Sequence, residues 1–210
     1  MIHIDLAISM NLLGIIAFAF AGAMKAIQEH LDLLGILILG IVYALGGGVV
    51  RDILINRIPY AFSANVDVAV AALGVIMAGV VYRLLKRDIS NRSYILIPDA
   101  LGLAAFTTAG AVTAHQTGIS GIGLIFLAAI TAVGGGVIGD LLLGKIPAVL
   151  KNDCYATCSI LGGLCFYLAT MWNVDLGITS LVSSSITFLI RLLAIRGQWS
   201  LPKLTWQKTS

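Results

Sequence analysis

Residues 46–59 read GGGVVRDILINRIP, and residues 134–147 read GGGVIGDLLLGKIP. Eight of the fourteen positions are identical and four more exchange like for like. Three successive glycines weaken a helix, and both triplets (Gly46, Gly47, Gly48 and Gly134, Gly135, Gly136) sit inside long apolar runs. Four residues beyond each triplet stands an aspartate, Asp52 or Asp140. A helix-weakening triplet beside an ionisable group in apolar surroundings, twice over, points to a permeation or binding element rather than inert core.

Outward from this pair the duplication extends at a constant offset of 88 residues. It links Leu13-Gly14 to Leu101-Gly102, Phe18 to Phe106, Ala21-Gly22-Ala23 to Ala109-Gly110-Ala111, Gln28 to Gln116, Pro59 to Pro147 and Leu73-Gly74 to Leu161-Gly162. One ungapped offset over about 70 positions marks an internal repeat.

The 210 residues are 59% hydrophobic and 11% charged, with mean hydropathy +1.01, too little charge for a soluble domain. Seven apolar spans are expected, at about 6–27, 33–56, 66–85, 95–115, 121–144, 154–173 and 176–195. The chain therefore reads as a single all-α membrane domain of seven transmembrane helices. Repeat 1 covers residues 6–88 (spans 1–3) and repeat 2 residues 94–174 (spans 4–6); a seventh span follows at 175–196, then a tail at 197–210. Three spans per repeat is odd, so the second repeat enters the membrane from the opposite side, making the repeats inverted. Helices 2 and 5 are expected to break at their triplets.

The first run has no Lys or Arg before it and Asp5 precedes it, so we expect a first transmembrane helix rather than a cleaved signal. With the N-terminus outside, the inner loops and tail hold Arg83, Lys86, Arg87, Arg92, Lys145, Lys151, Arg196, Lys203 and Lys208, and the outer loops only Arg57. That asymmetry places the N-terminus outside and the C-terminus in the cytoplasm of a multi-pass cell-membrane protein. Trp172, Trp199 and Trp206 suit interfacial depths.

Both triplets begin near the bilayer midplane. Asp52 then lies toward the outer side and Asp140 toward the inner side, roughly 6–9 Å from the midplane at 1.5 Å per residue. In the functional reading the triplets unwind to expose backbone to a lumen, and the two carboxylates draw cations into vestibules. The alternative is that the glycines permit close helix packing while the aspartates pair with cations such as Arg51 or Lys25. Intramembrane carboxylates are costly, which favours function for the combination. Arg51, whose counterpart is Gly139, breaks the symmetry. Because neighbouring residues on a helix point apart, we expect it to pair across helices as a gate or strut rather than with Asp52. Lys25, opposite Thr113, is expected to snorkel to the inner interface. Ser180, Ser184, Thr187 and Arg191, widened by Ser183 and Ser185, form one face of span 7. They either line a pore or hydrogen-bond to helix carbonyls and neighbouring helices. Asp99, after Pro98, together with Asp67 and Asp153, reads as a helix-start charge.

Several classes drop out. No basic, aromatic-interleaved stretch exists to bind nucleic acid. Catalytic arrangements are absent, so no enzyme activity and no cofactor are implied. His3, His30 and His115 lack metal spacing. Cys154, Cys158 and Cys165 lie in one apolar run and read as small buried residues rather than a disulfide framework or metal site.

The twin Gly-Gly-Gly stretches, each followed by Asp, apolar residues and Pro, resemble those of the trimeric intracellular cation (TRIC) channels, prokaryotic branch, over nearly the whole chain. The resemblance implies a homotrimer in which each subunit carries an hourglass pore for monovalent cations, chiefly K+, embedded in membrane lipid; with no filter stretch of the Thr-Val-Gly-Tyr-Gly type in the sequence, weak discrimination against Na+ is expected. It implies bends at Gly46–Gly48 and Gly134–Gly136. The Lys-Glu-Val triplet that animal members tie to gating and lipid binding is missing here, which puts their phosphoinositide and calcium control in doubt for this chain. A carrier for a small solute such as glycine is the competing reading, since inverted repeats serve carriers equally. A scaffold without transport ranks last, because it leaves Asp52, Asp140 and Arg51 without a purpose.

Overall fold

The computed structural model describes residues 2–63, 65–85, 93–151 and 154–199, with residues 2–7 by backbone alone. Among the described residues every regular element is helical: α1 (Ile2–Gln28), α2 (Leu33–Leu54), α3 (Tyr60–Ser63), α4 (Asn65–Leu84), α5 (Ser93–Gln116), α6 (Ile122–Leu142), α7 (Ala148–Lys151), α8 (Ala156–Met171) and α9 (Leu176–Gly197). Six are long and apolar enough to cross a membrane. The seventh long helix, α8, has 16 residues, about 24 Å at 1.5 Å per residue, against a hydrocarbon core of about 30 Å.

Local sequence explains where the helices stop. Asp32 caps α2 by accepting from Gly35 N at 2.7 Å, and Asp175 caps α9 by accepting from Gly177 N and Ile178 N. At their C-terminal ends α2 and α6 turn through a left-handed residue, Asn56 (φ 56°) and Gly144 (φ 66°), which stand 88 apart. The next amide closes the same bond in both, Arg57 N to Asp52 O at 2.8 Å and Lys145 N to Asp140 O at 2.9 Å, the Schellman arrangement. Pro59 and Pro147 then each open a single helical turn, α3 or α7, which the hydropathy pattern did not disclose.

The repeat is visible in the packing. α1 and α5 cross at the centre, where Gly14 lies under the Phe106 ring and Gly102 under the Phe18 ring; a Cβ at either glycine would stand 2.5 Å from ring carbon. The two rings meet edge-on, with centroids 5.2 Å apart. α2 packs on α1 and α6 on α5, α4 lies against α1 and α2, and α8 and α9 close the other side against α5.

One expectation fails here. α2 and α6 do not break at their triplets: both helices run unbroken through Gly46–Gly48 and Gly134–Gly136. Glycine lowers helix stability by about 1 kcal/mol relative to alanine, and tertiary contact outweighs that. Asp99 is also not a surface charge at a helix start. α5 begins at Ser93, incorporates Pro98, and buries Asp99 a turn and a half inside. Asp67 does lie in the first turn of α4, though buried. Asp153 and the charged residues Lys86, Arg87, Arg92, Lys203 and Lys208, with Trp206, fall outside the described residues.

Candidate functional site

The two triplets meet each other. A Cβ on Gly47 would stand 2.1 Å from the Thr131 carbonyl oxygen, and one on Gly135 would stand 2.1 Å from the Tyr43 carbonyl oxygen. These contacts exchange under the 88-residue offset. Leu39 reaches Gly139 at the one end, while Val50 reaches Gly134 at the other, so the two helices cross antiparallel and Asp52 and Asp140 lie at opposite ends of the crossing. The triplets thus bring two backbones into direct contact, with Cα–H groups against carbonyls.

Each aspartate sits in the same frame. Asp52 Oδ2 accepts from Tyr60 N at 3.0 Å, and Asp140 Oδ2 accepts from Ala148 N at 2.7 Å. The carboxylate thereby pins the first residue of the short helix eight positions on, and both carboxylates are buried. The other oxygen of each takes a cation. Arg51 donates from Nε to Asp52 Oδ1 at 2.7 Å, with Nη2 also at 2.7 Å. Lys25 Nζ pairs with Asp140 Oδ1.

Both cation expectations therefore need correction. Arg51 pairs with its neighbour rather than across helices. Cβ directions do diverge between adjacent residues, but α2 ends three residues later, and the long guanidinium arm wraps back onto the carboxylate at that open end. Lys25 does not snorkel away. Its stem crosses the Tyr43 ring, with Nζ 5.4 Å from the centroid, to reach Asp140 on α6. A carboxylate within the membrane costs about 2.5–3.5 kcal/mol, and a cation plus a backbone donor offset much of that.

A cavity adjoins each frame. The one at the Asp52 end has about 470 Å³ and is lined by Asn11, Arg51, Asp52, Asp67, Thr113 and Gln116 among apolar neighbours. The one at the Asp140 end has about 230 Å³ and is lined by Lys25, Gln28, Glu29, Tyr43, Asp99, Lys145, Tyr155 and Arg191. The offset relates them: Asn11 and Asp67 in the first correspond to Asp99 and Tyr155 in the second, and both pairs are hydrogen-bonded, at 3.5 Å and 3.0 Å. Sequence reading did not single out Tyr43, Tyr155 or Asn11. The signal was available in the offset, which pairs Asn11 with Asp99 and Asp67 with Tyr155.

The α9 stripe divides. The Ser180 and Thr187 hydroxyls donate to Leu176 and Ser183 carbonyls of their own helix, and Ser183 donates to Gly162 O on α8. Ser184 is half-buried. Of the four candidates Arg191 alone lines a described cavity, buried with its guanidinium 4.7 Å over the Tyr155 ring. The three cysteines are free, and no cluster of metal-binding residues occurs among the described residues.

The chain is similar to known proteins in sequence and in fold. A family model described as "Glycine transporter" matches twice, at residues 8–84 and 96–171. The inner membrane protein YadS of Escherichia coli is 33% identical over 92% of this chain and 93% of its own length. A structure described under conductance through TRIC cation channels superposes with TM-score 0.85 at 35% identity, covering 95% of this chain and 98% of that one. A prokaryotic TRIC channel in 0.5 M KCl superposes with TM-score 0.85 at 32% identity, covering 94% and 99%.

Proposed function

We propose that this chain, which belongs to the prokaryotic TRIC channel family and also matches a family model described as glycine transporter, is a channel for monovalent cations, K+ foremost. The observation that carries the reading is the matched pair of cavities with charged residues in their lining at opposite ends of one glycine crossing, each beside a buried carboxylate in the same backbone frame. Cations gather at Asp52 and Asp140, and the path narrows beside the crossing, where α2 and α6 touch through backbone. In this conformation the Asp140 end is obstructed, because the Lys25 ammonium occupies the carboxylate a passing cation needs. Conduction requires the ammonium to leave and the two helices to part.

The antiparallel crossing supports two inverted three-span repeats, residues 6–88 and 94–174, with α9 as a seventh span. The loop charge bias supports an N-terminus outside, which puts the Asp52 cavity at the outer face and the Asp140 cavity at the cytoplasmic face. We further propose a homotrimer with one pathway per subunit, after the TRIC neighbours. Discrimination between K+ and Na+ is weak, since the sequence carries no filter stretch of the Thr-Val-Gly-Tyr-Gly type.

The family description favours a second reading, a carrier for glycine. Purified protein in a planar bilayer under a K+ gradient separates the two. Unitary current steps reversing near the K+ equilibrium potential are expected. Saturable glycine counterflow without unitary steps would establish the carrier instead.

A further inference from the structure

The Asp140-end cavity holds a cluster that neither the repeated motif nor the ion pairs account for. Asp99 is 4% exposed yet lines the cavity. The Tyr43 hydroxyl donates to Asp99 Oδ1 at 3.1 Å, and the Tyr155 hydroxyl donates to the same oxygen at 3.0 Å. No described residue donates to Asp99 Oδ2. Both phenol oxygens converge on Gly136, the last glycine of its triplet: a Cβ there would stand 3.2 Å from Tyr43 Oη and 3.7 Å from Tyr155 Oη. The missing side chain lets both hydroxyls approach the α6 backbone, and Asp99, Tyr43 and Tyr155 all line the cavity.

A hydroxyl that gives its proton to a carboxylate keeps its lone pairs, and in a low-dielectric site that bond makes its oxygen more negative. The cluster therefore presents a carboxylate and two polarised hydroxyl oxygens to one small space. Oxygen donors of this kind suit a hard cation that has shed part of its water. We propose that Asp99 and the hydroxyl oxygens of Tyr43 and Tyr155 form a binding step for a partly dehydrated monovalent cation of the K+ class.

The inference rests on the channel reading and adds to it the place where water is exchanged for protein oxygen. Two side-chain cations stand nearby, Lys25 over the Tyr43 face and Arg191 over the Tyr155 face. Arg191 Nη1 reaches Cys154 O at 3.4 Å and its buried Nε has no partner, so its charge is only partly quenched. These charges weaken the hold on a bound cation, and a conducting site has to release its ion. The other cavity offers no counterpart. Thr131, equivalent to Tyr43, turns its hydroxyl to Leu127 O at 2.6 Å, and Asn11 and Asp67 meet at 3.5 Å.

Two measurements test the site. The first uses crystals of the wild-type protein grown in a thallium(I) salt, thallium(I) being an electron-dense stand-in for K+. Anomalous density touching Asp99, Tyr43 and Tyr155 is expected, and a cavity without that density overturns the proposal whether or not the protein conducts. The second is the bilayer recording of Tyr43→Phe/Tyr155→Phe, which removes two oxygens and keeps both rings. Unitary currents should persist, while the half-saturating K+ concentration rises at least about threefold and the K+/Na+ permeability ratio changes by about twofold or more. Currents with unchanged saturation and ratio would sink the site and leave the channel standing. Wild-type protein without unitary currents would sink the channel reading itself, while the thallium result still decides whether a cation binds.

Discussion

The Asp52 and Asp140 ends of the molecule share a backbone frame and differ in the side chains laid into it. Each aspartate holds the amide eight residues on, follows the same glycine crossing and precedes the same capped turn. At the Asp52 end the cation is a neighbour on the same helix, Arg51, so that ion pair ties no second helix across the cavity. At the Asp140 end the cation comes from α1, and a second cross-helix pair, Lys145 with Glu29, lies beside it. The equivalents of Lys25 and Lys145 at the other end are Thr113 and Arg57, and the cavity there is about 470 Å³ rather than about 230 Å³. The repeat supplies two similar cavities, and a few substitutions add cross-helix ion pairs at one of them.

The comparison breaks most severely at what both ends share. Gly47→Ala and Gly135→Ala each force a Cβ into a carbonyl oxygen at 2.1 Å, and overpacking of that kind costs about 1–3 kcal/mol or more. We expect loss of the assembled species on size-exclusion chromatography and a lowered Tm. Gly48→Ala is the control: its Cβ would lie 3.8 Å from the Arg51 guanidinium and meet nothing else, so assembly should be unchanged. If the two classes behave alike, the crossing is not held by backbone contact.

Lys25→Thr gives the Asp140 end the residue found at the other. It removes the ammonium while Asp140 keeps the Ala148 amide. Mean K+ current through single molecules should rise about threefold or more, because a positive charge at an ion site repels a passing cation strongly where dielectric is low. Current unchanged or reduced would mean the pair is a strut rather than an obstruction. Arg51→Gly makes the converse exchange, copying Gly139. Because Arg51 bridges nothing across the cavity, we expect a smaller rise, about twofold or less by the same Coulomb argument. A larger effect from Arg51→Gly than from Lys25→Thr would reverse the assignment of the closed end. Lys145→Ala comes last. That pair is 42% and 35% exposed, and exposed pairs contribute about 0–1 kcal/mol. Its removal should alter current by less than about twofold in low salt and not at all in high salt.

Much of this was legible in the chain. Hydropathy located every long helix among the described residues, and the 88-residue offset located both frames, because burial against lipid and repeated backbone geometry leave periodic marks that do not depend on partners. The triplets were found but misread: glycine's helix-weakening is a local property, whereas α2 and α6 stay helical because each finds a backbone surface to lie against. The cations were found and mispaired for a similar reason. The reach of Arg51 and Lys25 depends on where a helix ends and which helix lies opposite, 115 residues away in the case of Lys25 and Asp140.

The amino-acid sequence by itself determined that this is a helical membrane protein, twice repeated, with an aspartate after each glycine triplet. Those features rest on composition, periodicity and spacing, all properties of neighbours along the chain. Only the tertiary structure decided that the triplets touch, that Lys25 closes on Asp140, and that Tyr43, Asp99 and Tyr155 gather at Gly136. Each of these joins residues far apart in sequence, and side-chain length and helix crossing, rather than local preference, set which atoms come within reach.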